Sequence, residues 1–176
     1  TACSNTTGCQ FVAIGSYGLL SNTTGVRNVA VGYGAMKCNT TGSCNVAIGQ
    51  GALLNNTCAN NNLAVGAYSL YANTTGTYNA ALGHCALRYN TIGGCNVALG
   101  AFALRDTTTG SCNTAVGVNS LISNTIGIDN TAVGTWTLQA NTTGKYNTAV
   151  GSHSLRCNTT GYNNSTLGAY GLFQNT

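Results

Sequence analysis

Apolar residues come in short bursts along this chain, one burst every 17 residues. Val29-Ala30-Val31, Val46-Ala47-Ile48 and Val97-Ala98-Leu99 are typical, and each is followed at once by a glycine: Gly32, Gly49 and Gly100. A second apolar position trails that glycine, as Met36, Leu53 and Leu104. Between bursts lies a polar N-T-T-G-like corner, starting at Asn5, Asn22, Asn39, Asn56, Asn73, Asn90, Thr107, Asn124, Asn141, Asn158 and Asn175, with no insertion or deletion. Alternation within each burst predicts a short strand. The Asn-Thr-Thr-Gly run predicts a tight turn, and the glycine after the burst a second bend.

Seventeen residues are too few for a helix pair, and the apolar positions ignore a 3.6-residue period. The unit fits one coil of a parallel β-solenoid, with two short strands and two corners in a perimeter of at most roughly 56 Å. Stacked about 4.8 Å apart, such coils build a rod roughly 48 Å long. The expected fold is therefore all-β, a β-roll of about ten coils running as one array over residues 1–176. The array opens and closes in mid-repeat without a capping unit, so a segment of a longer fibre is expected.

Within a burst, the Ile48-type residue together with Leu53 is expected to fill the interior. The Ala47-type and Gly49-type residues then share the opposite face, and both stay small throughout. Two explanations fit that smallness. Another surface, such as a neighbouring protomer, comes close there, or the interior is very thin and the glycine corner needs positive φ. Another column is Asn28, Asn45, Asn62, Asn79, Asn96, Asn113, Asn130, Asn147 and Asn164, broken by Phe11. Amides stacked in register can hydrogen-bond from coil to coil.

Composition then removes whole classes of function. Charged residues make up 5%, Glu is absent and the net charge is +4. No helix could carry a solvated face with so few charges, and no phosphate-binding footprint arises, so nucleic acid is not expected as a partner. No apolar run is long enough to span a membrane. Pro is absent, which excludes collagen. Lys37, Arg88, Arg105 and Arg156 share one phase of the repeat and are expected at a solvated edge. Tyr17, Tyr68, Phe102, Trp136 and Tyr170 share another, compatible with a glycan or surface ligand. Catalysis needs titrating groups within reach of one another. His84 and His153 lie about four coils apart, and the adjacent side chains of His84 and Cys85 should point apart. No catalytic residue, cofactor or metal site is expected; there is no Cys-x2-Cys pair and there are two His.

The segments Asn28–Gly32 (NVAVG), Asn45–Gly49 (NVAIG), Asn96–Gly100 (NVALG) and Asn113–Gly117 (NTAVG) resemble the head repeats of trimeric autotransporter adhesins, and similar repeats in phage tail fibres. The resemblance implies a left-handed parallel β-roll, trimeric assembly and a role in surface attachment. The 17-residue period, the extra NTTG corner and the abundance of Cys depart from that family.

Nine Cys point to an oxidising, extracellular, cell-surface or virion-surface setting. Cys3 with Cys9 and Cys38 with Cys44 each flank a corner, while Cys95 and Cys112 are one period apart and should stack within disulfide range. Cys58, Cys85 and Cys157 have no evident partner. Sequons at Asn5, Asn22, Asn39, Asn55, Asn73, Asn141, Asn158, Asn163 and Asn164 are glycosylation candidates, favoured if corner Asn residues are exposed. The first corner Thr never varies, but the third position lapses to Cys58, Ile92 and Ile126, so the turn is the primary demand. The expected function is an extracellular structural or adhesive fibre that self-associates into a filament or homo-oligomer. The alternative is an ice-binding solenoid using its Thr ladders.

Overall fold

The computed structural model describes residues 3–174; the corner at Asn175 lies outside them. Ten three-residue strands follow one another: β1 (Val12–Ile14), β2 (Val29–Val31), β3 (Val46–Ile48), β4 (Leu63–Val65), β5 (Ala80–Leu82), β6 (Val97–Leu99), β7 (Thr114–Val116), β8 (Thr131–Val133), β9 (Thr148–Val150) and β10 (Ser165–Leu167). They form one parallel sheet in chain order, β1 to β10. Each residue pairs with the one 17 positions on, as in Val46↔Leu63, Ala47↔Ala64 and Ile48↔Val65. The fold is the expected β-solenoid, and no described residue is helical.

One strand per coil forms, not two. The stretch carrying the core leucine is a run of turns, because its backbone keeps entering the left-handed region: φ is 132° at Gly49, 63° at Gly51 and 50° at Leu53. Its polar groups are satisfied alternately within the coil and between coils. Ala52 N–H donates to Gly49 C=O at 3.3 Å, then Leu53 N–H donates to Ser69 C=O in the next coil at 3.0 Å. Left-handed φ costs a non-glycine residue about 1–2 kcal/mol. Burying a leucine returns about 1.5–3 kcal/mol, and Leu53 is fully buried. Burial therefore outweighs strain at this position.

The inside and outside of the strand are the reverse of the expectation. Ala47 is fully buried, while Ile48 is 40% exposed. The same holds for Ala30, Ala64, Ala81, Ala98, Ala115, Ala132 and Ala149, all at 0%. The core of a coil is this Ala, a second small residue such as Ala52 or Ser69, the leucine, and two Asn. A space that thin admits a methyl group but not a branched side chain, so Val, Ile and Leu are turned outward. The Gly49 column is small for a different reason. A Cβ there would lie 2.7 Å from the carbonyl carbon and oxygen of Gly66 in the next coil, and its φ favours glycine alone. Of the two explanations, the thin interior and the glycine bend are the ones realised.

Asparagine forms two buried ladders. In the expected one, Asn45 N–H donates to Asn28 Oδ1 at 3.0 Å, and Asn45 Nδ2 donates to Ala59 C=O at 2.8 Å. The corner Asn residues make the second: Asn39 Nδ2 donates to Asn22 Oδ1 at 2.7 Å and to Gly42 C=O at 3.0 Å. Asn22, Asn39, Asn73, Asn141 and Asn158 are thus fully buried and Asn5 half-buried, which corrects the expectation that corner Asn residues are exposed. The invariant Thr has a matching role. Thr40 Oγ1 donates to Thr57 C=O at 2.9 Å, beside three backbone N–H groups converging on that same oxygen.

Thr107 interrupts the corner ladder. It reaches neither neighbour, and both its buried hydroxyl and Asn90 Oδ1 are left without a hydrogen-bond partner. An unsatisfied buried polar group costs about 1–3 kcal/mol. Thr107→Asn should therefore stabilise the rod by about 2 kcal/mol, seen as a higher urea midpoint at unchanged slope. An unchanged or lower midpoint would show that the ladder does not contribute.

Candidate functional surfaces

Because Ala occupies the inner face of each strand, the outer face carries the bulky residues. Ile14, Val31, Ile48, Val65, Leu82, Leu99, Val116, Val133, Val150 and Leu167 form a column with no polar member. Ile48, Leu82 and Leu99 are 40%, 46% and 38% exposed. Beside it run Val12, Val29, Val46, Leu63, Ala80 and Val97, giving way to Thr114, Thr131, Thr148 and Ser165. The result is an apolar strip along the described rod, two columns wide up to β6 and one column wide from β7 to β10. The sequence held a sign of it: an Ala or Thr always followed by Val, Ile or Leu marks the side with no room.

A second surface gathers rings and cations. Tyr17, Tyr68, Phe102, Trp136 and Tyr170 share a backbone φ between 56° and 62°, so each leaves its coil in the same way. A cation 20 residues on, in the next coil, packs on three of them: Lys37 on Tyr17 at 5.5 Å, Arg88 on Tyr68 at 5.3 Å and Arg156 on Trp136 at 5.7 Å. Arg88 also packs on Tyr89, and Arg156 on Phe173. The charges thus meet the aromatic column, and Lys37 is at the same time exposed to solvent. Arg105 is the exception, held by Asp106 through two bonds of 2.7 and 2.8 Å. That pairing raises its pKa further above the ordinary arginine value.

His84 and Cys85 do not point apart. His84 Nε2 lies 3.6 Å from Cys85 Sγ, and Arg88 Nη1 donates to the same sulfur at 3.7 Å. Strand alternation fails here because Cys85 has φ 56°. Cys85 is 1% exposed. Cys95 and Cys112 lie one coil apart on one exposed column; burial first, then the charge of Asp129, raises the Cys112 pKa. Cys9, Cys38 and Cys44 are present as thiols, and Cys38 Sγ faces Asn55 Oδ1 at 3.9 Å. Among the described residues, no three of His, Cys, Asp and Glu gather as a metal site, and no helix is long and apolar enough to cross a membrane.

No family model, curated protein or solved structure matches the chain. The likeness to adhesin heads is confined to the five residues that make each strand and its glycine.

Proposed function

We propose that this chain is a stretch of an extracellular structural and adhesive fibre, with length supplied by stacked coils and lateral contacts by the strand face. The unbroken apolar strip from Ile14 to Leu167 carries this proposal, because isolated soluble surfaces seldom expose so continuous a patch. The occupant of the strip is a further copy of the chain. Two such faces are equally long and carry the same apolar column, and sheets pack face to face about 10 Å apart. Trimeric packing is the arrangement that the adhesin resemblance favours. In an oxidising compartment Cys95 and Cys112 would lock adjacent coils together. Of the sequons, Asn163 is the one whose residue is exposed.

Ice binding through the corner has less support. One Thr hydroxyl per corner is already engaged by the next coil, and the outer Thr column is interrupted at Cys58, Ile92 and Ile126.

Light scattering on the double variant Leu82→Lys/Leu99→Lys tests the proposal. The wild-type rods should associate and the variant should run as single rods of unchanged circular dichroism. A monomeric wild type, or a variant of unchanged mass, would overturn it.

A further inference from the structure

The aromatic surface has a spacing that the strand face lacks. Tyr68, Phe102, Trp136 and Tyr170 follow one another at 34 residues, that is, every second coil. Two coils advance about 9.6 Å along the rod. That is close to the length of one disaccharide unit in a straight β-1,4-linked glycan, whose sugar rings stack on aromatic side chains through their C–H faces. The coils in between carry Cys85, Asn119 and His153 in the same column.

Charge narrows the ligand further. Lys37, Arg88 and Arg156 all lie on this surface, packed on its rings. Arg88 Nε is buried with no hydrogen-bond partner. The chain has two acidic residues; Asp106 is taken by Arg105, and Asp129 lies on the Cys112 column. The cations on this surface therefore meet no free carboxylate, and an anionic polymer is their complement.

We infer that the ring-and-cation surface of Tyr68, Phe102, Trp136, Arg88 and Arg156 binds an extended, anionic β-1,4-linked polysaccharide. One sugar of each successive disaccharide registers with a ring, and acidic groups fall beside the guanidinium groups. The inference deepens the adhesive part of the proposed function but uses a different surface from lateral association.

Trp136 is the chain's one tryptophan, so its emission reports on this surface directly. Carboxymethylcellulose, hydroxyethylcellulose, polyglutamate and a single-stranded oligonucleotide are titrated in low salt, with emission and calorimetry followed together. Carboxymethylcellulose should shift the Trp136 emission and bind at least about tenfold more tightly than its neutral counterpart, a difference of about 1.4 kcal/mol. Polyglutamate, which has charge but no sugar rings, should leave the emission unchanged. Arg88→Gln/Arg156→Gln and Phe102→Ala should each weaken binding about tenfold while keeping the wild-type circular dichroism. Equal response to polyglutamate or to a single-stranded oligonucleotide would reduce the surface to bare electrostatics and overturn the inference, as would no response to any polymer. The two proposals fail separately: Leu82→Lys/Leu99→Lys should lose association and keep polysaccharide binding.

Discussion

Ala98→Glu should unfold the coils around it. The side chain would enter a core that has room for one methyl group, 0% exposed and walled by the neighbouring Ala81 and Ala115. An unpartnered polar group buried there costs about 2–7 kcal/mol, and overpacking adds about 1–3 kcal/mol. Native domains hold only about 5–15 kcal/mol in total. Leu99→Glu, one residue further, is the control: Leu99 is 38% exposed, and its replacement should cost less than about 1 kcal/mol. Circular dichroism and limited proteolysis distinguish the two. A folded Ala98→Glu rod would mean that the Ala column faces outward.

Gly100→Ala should be nearly as damaging, although it adds a single methyl. That carbon would sit 2.6 Å from Gly117 C=O oxygen and 3.1 Å from Val118 N, both backbone, at φ 135°. Backbone atoms cannot swing aside, and this φ region is almost confined to glycine; with the clash, we expect a loss of about 3 kcal/mol or more. Gly34→Asn makes the contrast. Its φ of 67° matches that of Asn119 in the same column, and the nearest atom to an added Cβ is a leucine methyl at 3.5 Å. A urea midpoint for Gly100→Ala equal to that of Gly34→Asn would refute the close stacking.

The stacking register was legible because a coil repeats itself: Val46, Leu63 and every later partner follow from the 17-residue beat alone. So was the Asn28 ladder. Inside and outside were not legible from alternation, which marks two faces without saying which is wet. Polarity usually decides, but here both Ala47 and Ile48 are apolar, and the deciding quantity was size. The buried corner Asn escaped notice because its partner lies a full coil away and an NTTG turn looks the same exposed or enclosed. The His84–Cys85 contact was hidden by a left-handed residue that strand logic does not foresee.

Thr107 has a mechanical meaning as well. Coils in a rod bear axial tension in series, while the bonds across each interface bear it in parallel. The interfaces on either side of Thr107 lack the corner amide bond found between Asn22 and Asn39 or between Asn124 and Asn141. With fewer bonds sharing the same load, those two interfaces yield before their neighbours. A solenoid pulled along its axis has a built-in fuse here, its place set by one missing asparagine.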